Sequence, residues 1–329
     1  MPKKIAINGF GRIGRAAFKA AQENKKVEVI AINDLTEPSA LAHLLKYDTV
    51  YGVYDKKIIA GSGYLQIGAK KIPVYAKPKP RKLPWRKLGV DVVLECTGRF
   101  TLKEDARGHI KAGAKKVIIS APSKSEDVIT IVKGVNESDA SSEQIISNAS
   151  CTTNCIAPVM KVLDKEFGVE RSLMTTIHAY TSNQNLVDGP HKDLRRARAA
   201  AQNIIPTTTG AAKSTCKTLP SLKGNFDGIA VRVPVAIGSI SDISAVLKKR
   251  ASIESINAAF RKASKTYLKN ILTTTEEPIV SSDIIGNDYS AIVDLNLTRV
   301  IDNLVKVVAW YDNEWAYSKR LVELASELE

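Results

Sequence analysis

The sequence predicts an α/β protein of two domains, a doubly wound parallel sheet followed by an α+β unit with a mostly antiparallel sheet. Three observations carry this. A strand, a glycine-rich turn and a helix succeed one another over residues 3–20. The first half then holds continuous apolar runs, 91–96 and 115–120, of the kind buried on both faces of a parallel sheet. The second half carries further strand-like runs at 174–178, 228–233, 239–247 and 305–311. At 329 residues the chain is long for a single core. The pattern places the first domain at residues 1–150 and the second at 151–313, with a C-terminal helix, 314–329, packing back on the first.

Taken in order, residues 3–8 read as a strand and run straight into Gly9-Phe10-Gly11-Arg12-Ile13-Gly14, after which Ala16, Ala17, Phe18 and Ala20 continue as a helix. A dinucleotide fingerprint requires this order: the glycines permit a tight turn and close backbone approach, and the helix N-terminus faces a pyrophosphate. A second strand, 27–32, ends in Asn33-Asp34 and so places a carboxylate twenty residues after Gly14. An acid there accepts hydrogen bonds from ribose hydroxyls and repels a 2′-phosphate, which predicts a Rossmann-type domain that takes NAD rather than NADP. The plainer reading of Asp34 is a strand-end cap. Residues 41–47 continue helically, and strand-like pieces follow at 57–60 and 63–67. The two apolar runs end in Thr97-Gly98 and Ser120-Ala121. Loops after parallel strands are where an open α/β sheet binds its ligand, so these four line the cofactor or are ordinary turn residues. Residues 138–143 form a polar lull before the second half.

Composition narrows the class. A hydrophobic content of 44% is that of a globular protein. Cys96, Cys151, Cys155 and Cys216 show no CxxC spacing and the chain has only 4 His, so no zinc site is expected and the thiols read as reduced. The N-terminal apolar run is too short for a signal peptide, and no segment gives eighteen consecutive apolar residues; a soluble, cytoplasmic protein is the expectation. The net charge of +14 invites nucleic acid, and the densest basic cluster is Lys77, Lys79, Arg81, Lys82, Arg86 and Lys87 among three prolines. A solvated, proline-stiffened loop is the preferred reading, and attraction of phosphorylated ligands or RNA the other.

The chemistry centres on Ser150-Cys151-Thr152-Thr153-Asn154-Cys155. It follows a strand-like run at 144–147 and precedes Ile156, Val159, Met160, Leu163 and Phe167 at helical spacing, with Gly168 as a stop. Cys151 thus sits at a helix start, where unpaired N–H groups favour a thiolate, and is a candidate nucleophile; Cys155 shares the apolar face and reads as core. His178 ends a strand twenty-seven residues later, one helix out and one strand back, where it can reach the sulfur, pair with the thiolate and act as general base.

Asn8 to Gly14, Asn33 to Thr36, Ser147 to Cys155, His178 to Thr181, His191 to Arg198, Ile204 to Lys213, Arg232 to Pro234 and Trp310 to Trp315 together resemble the phosphorylating glyceraldehyde-3-phosphate dehydrogenases, in that family's order along essentially the whole chain. The resemblance implies that Cys151 attacks the aldehyde of glyceraldehyde 3-phosphate to give a thiohemiacetal, that His178 takes the hydroxyl proton as hydride leaves for NAD, and that inorganic phosphate cleaves the thioester. It implies oxyanion donors at the Cys151 N–H and the Asn154 region. It assigns Thr181 and Arg232 to the substrate phosphate, and Ser150, Thr152, Thr209 and Gly210, with Arg196 near by, to inorganic phosphate. Arg12 and Ile13 then lie at the pyrophosphate, Asp34 on the adenosine ribose, and Asn313 and Tyr317 at the nicotinamide. The segment 181–205 resembles the family's S-shaped loop, which implies a homotetramer.

Several residues depart from the family pattern. Asn183 replaces an acid, Val235-Ala236 replaces Thr-Pro, Ala316 replaces Gly, Cys96 replaces Ser, and the segment 78–80 replaces an adenine-side arginine. They touch cofactor and substrate affinity rather than the catalytic pair. The rival within the same chemistry is erythrose-4-phosphate dehydrogenase, which usually lacks the run seen here at 209–213; the rival from another class is a nucleic-acid-binding protein on the same fold, for which the charge alone does not argue.

Overall fold

The structure, a computed structural model, describes residues 1–140 and 143–328. Ser141 and Ser142, in the polar lull, and Glu329, the end of the expected last helix, lie outside the described residues. The chain divides into two units: 1–131, 137–149 and 318–329 form the first, and 132–136 with 150–317 the second.

The first unit runs β1 (Lys3–Asn8), α1 (Arg12–Glu23), β2 (Val27–Asn33), α2 (Pro38–Lys46), a short pair β3 (Tyr47–Asp48) and β4 (Gly52–Val53), and a meander β5 (Ile58–Gly61), β6 (Tyr64–Ile67) and β7 (Lys70–Tyr75). Then come α3 (Trp85–Leu88), β8 (Val92–Glu95), α4 (Lys103–Lys111), β9 (Lys116–Ile119), β10 (Ile129–Thr130) and β11 (Ile145–Ser147). Its sheet has the order β10-β11-β9-β8-β1-β2-β7-β6-β5, parallel from β10 through β7 and antiparallel in the meander.

The period of two explains why its central strands are apolar throughout. Ile5 and Ile7 of β1 join Val92 and Leu94 of β8 in one core, with Phe18 of α1 and the C-terminal Leu321. Ala6 and Val93, on the opposite face, join Trp85 and Val117 in another. With both faces covered, no position on these strands can be polar without a partner. At the glycine turn, a Cβ on Gly14 would lie 2.1 Å from the Gly9 carbonyl oxygen, so only glycine lets α1 start this close to β1. The basic segment is pinned by Trp85, which is fully buried, while all six cationic side chains are exposed.

The second unit runs α5 (Cys151–Phe167), β12 (Val169–Ala179), β13 (Ile205–Thr208), α6 (Ala211–Thr218), β14 (Phe226–Val233), β15 (Ser239–Leu247), α7 (Ile253–Lys265), β16 (Leu272–Thr275), β17 (Ala291–Asp294), β18 (Arg299–Ile301), β19 (Leu304–Tyr311) and the start of α8 (Trp315–Glu327). Its sheet order is β13-β14-β12-β15-β19-β17-β16, with β18 beside β19. Two pairs, β12–β14 and β16–β17, are parallel and the rest antiparallel, as a mostly antiparallel α+β sheet requires. Burial alternates strictly along β15, and its inward residues Ile243, Ala245 and Leu247 meet Ile156, Met160 and Leu163 of α5 in one core. The observed β12 begins five residues earlier than the expected strand at 174 (174 − 169), because Val169 pairs with Leu247 directly after the Gly168 stop. Among the described residues no helix is long and apolar enough to cross a membrane.

Candidate active site

Cys151 is the first residue of α5. Ser150 is its N-cap, and the Ser150 hydroxyl accepts the Thr153 N–H at 3.0 Å. The turn into the helix is tight enough to hold Ala149 at φ 55°, a left-handed conformation that costs a residue with a Cβ about 1–2 kcal/mol. The Asn154 amide donates to the Ser150 carbonyl at 3.0 Å and tightens the same turn.

β12 carries His178 to this helix start, with Nε2 3.4 Å from the Cys151 sulfur. β14 lies parallel to β12 with Arg232 level with His178. The Arg232 Nη1 donates to His178 Nδ1 at 2.6 Å and to the Ala179 carbonyl at 2.9 Å. Tyr311 of β19 stands edge-on to the imidazole, and its hydroxyl joins Thr152 at 2.9 Å and Thr176 at 2.8 Å.

The electrostatics differ from the thiolate–imidazolium pair that position alone suggests. Burial pushes the Cys151 thiol up from its ordinary value, opposed by the Arg232 charge and by hydrogen bonds from Thr152. Burial, then the Arg232 charge, pulls His178 down to about 3. The ring is therefore neutral near pH 7, and the positive charge beside the sulfur belongs to Arg232. Burial also lowers Arg232 from its usual value, with Cys151 acting against it. Cys155 is fully buried and its thiol is raised by desolvation, which is core behaviour.

A second arginine lies beyond the first. Arg196 donates through Nε to Thr207 at 2.8 Å, through Nη1 to Asn183 at 2.7 Å and through Nη2 to the Thr208 carbonyl at 3.0 Å. Its charge is one of the causes lowering His178. Thr181 caps the same turn, its hydroxyl accepting the Asn183 N–H at 3.4 Å. Thr209 accepts the Ala211 N–H at 3.1 Å and Gly210 is the N-cap of α6, which packs on α5. Thr152 is 4% exposed and engaged by Tyr311, so its hydroxyl faces the core side of the site.

In the first unit a cleft of about 340 Å³ opens at the ends of β1, β2 and β8, lined among others by Gly9, Gly11, Asp34 and Thr97. The residues fit a dinucleotide. A Cβ on Gly11 would meet nothing within 4 Å, so the glycine leaves room for a ligand, and α1 starts there with no side-chain cap. Asp34 accepts the Phe10 N–H at 2.7 Å and the Thr36 N–H at 2.9 Å, one on each oxygen, and each oxygen retains acceptor capacity. Gly98 is held at φ 68°. Ser120 hydrogen-bonds the Cys96 thiol, which burial pushes up to about 12, so Cys96 is an inert neighbour of the cleft. The Arg12 side chain is committed to Asp48 at 3.2 and 3.3 Å, so at this turn the groups suited to an anion are the backbone N–H groups at the start of α1.

Residues 3–103 match the NAD binding domain of glyceraldehyde 3-phosphate dehydrogenase, and residues 150–313 its C-terminal domain. The chain belongs to the glyceraldehyde-3-phosphate dehydrogenase family. It is 56% identical to the glyceraldehyde-3-phosphate dehydrogenase of Mycobacterium avium, over 99% of this chain and 98% of that one. It is 54% identical to glyceraldehyde-3-phosphate dehydrogenase 2 of Bacillus subtilis, over 98% and 96% of the two chains. It is likewise 54% identical to the Geobacillus stearothermophilus glyceraldehyde-3-phosphate dehydrogenase, over 99% and 98%.

For a member of this family, two further residues acquire meaning. Asn313 is buried, and its Oδ1 accepts the Gly238 N–H at 3.2 Å and the Ser239 hydroxyl at 2.9 Å, so the amide cannot flip and Nδ2 is its free-standing donor end. Ser239 in turn accepts the Ala179 N–H at 3.1 Å, joining the Asn313 amide to the strand that carries His178. Tyr317 is buried in the first turn of α8. The sequence does not single out Ser239 or Tyr311 as site residues, because each sits within an ordinary strand pattern. A hydroxyl at an inward position of an apolar strand is the signal that marks them.

Proposed function

We propose that this chain oxidises and phosphorylates D-glyceraldehyde 3-phosphate to 1,3-bisphosphoglycerate, with residues 1–150 holding NAD and 151–313 carrying the chemistry. The observation that carries the reading is the 3.4 Å approach of Cys151 Sγ and His178 Nε2 at a capped helix start, with Arg232 against the imidazole. Cys151 forms the thiohemiacetal, and NAD supplies the hydride acceptor. Arg232 and Thr181 take the substrate phosphate. Once the phosphate draws the guanidinium off Nδ1, the single ring proton shifts through solvent from Nε2 to Nδ1, which then donates to the Ala179 carbonyl 2.7 Å away, and the Nε2 lone pair so freed faces the reacting hydroxyl as general base. The Cys151 N–H at the start of α5, with the Asn154 region, is the oxyanion donor. Ser150, Thr209 and Gly210, with Arg196 and with Thr152 through its backbone N–H at the start of α5 rather than its core-facing hydroxyl, receive the inorganic phosphate that cleaves the thioester. Arginine forks and N–H groups at helix starts suit phosphate oxygens. Gly9, Gly11, Arg12, Ile13, Gly14, Asp34, Thr97, Gly98 and Ser120 hold or back the dinucleotide, and Asn313 and Tyr317 orient its nicotinamide.

The working form we propose is a cytoplasmic homotetramer. The four cysteines of each chain are free thiols. Leu186, Val187, Leu194 and Ile204, all at least 70% exposed, crowd one segment, and Leu173 and Leu304 line an open hollow of about 590 Å³ on the outer face of the second sheet. Apolar surface of this kind is normally covered by another protein surface. The deciding experiment follows NADH absorbance from glyceraldehyde 3-phosphate with NAD or NADP, with and without inorganic phosphate. Phosphate-dependent NADH formation is expected. Phosphate-independent turnover overturns the phosphorolytic step, NADP use overturns the role of Asp34, and no turnover overturns the reading as a whole.

A further inference from the structure

Under the dinucleotide cleft lies a buried polar row that the reaction does not explain. Asn8, at the end of β1, is level with Asn33 of β2 on one side and with Glu95 of β8 on the other. Asn8 and Glu95 are 1% exposed, Asn33 5%, and His109 of α4, behind Glu95, is fully buried. Every bond in the row has one direction. The Lys77 N–H donates to Asn33 Oδ1 at 2.8 Å and the Lys77 carbonyl accepts from Asn33 Nδ2 at 3.0 Å, which fixes that amide. Asn33 Nδ2 donates on to Asn8 Oδ1 at 2.7 Å, and the Asn8 Nδ2 donates to Glu95 Oε2. From the other end the Trp85 indole, a donor only, gives its N–H to His109 Nδ1 at 2.9 Å. A neutral ring then carries its hydrogen on Nε2, which stands 3.0 Å from Glu95 Oε2. The remaining oxygen, Oε1, accepts the Thr97 N–H at 2.9 Å and the Thr97 hydroxyl.

Four donors thus converge on one buried carboxylate. The rest of β8 is Val92, Val93 and Leu94, so an apolar residue at position 95 would serve packing with no carboxylate to desolvate. Position 95 instead fixes groups that line the cleft, namely Asn8, Asn33 and Thr97. We propose that Glu95 and His109 are positioning residues for the cofactor. Glu95 sets where Thr97 and the Asn8 amide stand at the floor of the cleft, and His109, held in one tautomer by Trp85, holds Glu95. Neither side chain needs to touch the dinucleotide. The proposal rests on reading this cleft as the NAD site.

The test is calorimetric titration of the full-length protein with NAD, alongside the rate at which iodoacetamide alkylates Cys151. His109→Phe keeps a ring and removes both bonds; it should bind NAD about tenfold or more weakly, the scale of a hydrogen bond lost from a charged group, with Cys151 alkylation unchanged. His109→Gln, whose amide offers a donor and an acceptor, should recover most of that affinity. Trp85→Phe removes only the indole donor and should weaken NAD by less. Wild-type affinity in a folded His109→Phe overturns the proposal, as does equal weakening by Phe and Gln, which would reduce His109 to packing. If His109→Phe does not fold, Trp85→Phe decides, and an unchanged affinity there overturns it. Asp34→Ala separates the two levels: if it leaves NAD binding untouched, the cleft assignment fails and the positioning role with it, whereas loss of NAD binding there with wild-type affinity in the His109 variants sinks only the positioning role.

Discussion

Arg232 donates to His178 Nδ1 at 2.6 Å, and the two residues stand level on the parallel strands β12 and β14. The guanidinium is thus both the positive charge that opposes the rise of the Cys151 thiol and a cause, after burial, of the low value of His178. Arg232→Ala should therefore move both groups the same way, upward. Alkylation of Cys151 followed against pH should shift to higher pH, and kcat/KM for the phosphorylated aldehyde should fall about 10- to 100-fold through loss of charged hydrogen bonds. An alkylation profile that stays put would show that Arg232 does not act on the sulfur.

His178 also makes stability depend on pH. Its ordinary value of 6.5 applies to the unfolded chain, while in the fold burial and Arg232 hold it near 3. Between those values the unfolded chain binds the extra proton and the folded chain does not, so this group costs stability as pH falls below 6.5. Urea midpoints measured from pH 7.5 to 5 should show the wild type losing stability relative to His178→Gln, which titrates in neither state. Parallel curves would mean that the folded ring accepts a proton, and the ion-pair description would then return.

The glycine turn, Asp34, the start of α5 and the strand leading to His178 were legible because each depends on local spacing: a turn that needs glycine, a strand end, a cap. The protonation of the pair was not, because it depends on Arg232, fifty-four residues further along the chain from His178 and brought level with it only by strand pairing. The same holds for the Glu95–His109 pair. His109 sits in the largely polar helix segment KEDARGHIK, where periodicity alone gives no reason to bury it. For Arg12, which the resemblance implies lies at a pyrophosphate, spacing likewise does not reveal that the side chain pairs with Asp48, whose carboxyl, despite its burial, is held low by backbone N–H groups and by Arg12 itself.

Asn183 gives Arg196 a neutral partner at 2.7 Å, and the carboxylate of Asp193 is further off, at 3.5 Å, and already bonded by Thr207. Arg196 therefore keeps much of its charge for a phosphate. Asn183→Asp would place a second carboxylate on Nη1. The pair is partly exposed, so the effect should be modest, a rise of about two- to fivefold in KM for phosphate with kcat little changed. A drop in KM would show that the acid orders the loop more than it screens the arginine.

Gly11 and Gly14 occupy one turn, and alanine should harm them in different ways. At Gly14 the added Cβ would fall 2.1 Å from the Gly9 carbonyl oxygen, backbone that cannot move without separating α1 from β1. Gly14→Ala should lower stability by about 1–3 kcal/mol, read as a fall in the denaturant midpoint before any cofactor is added. At Gly11 the Cβ would meet nothing within 4 Å and φ is −70°, so Gly11→Ala should cost the free protein less than about 1 kcal/mol, the scale of an altered N-cap. Its open space is the cleft itself, so the methyl group should instead weaken NAD binding. If Gly11→Ala binds NAD normally, the pyrophosphate does not lie against this turn.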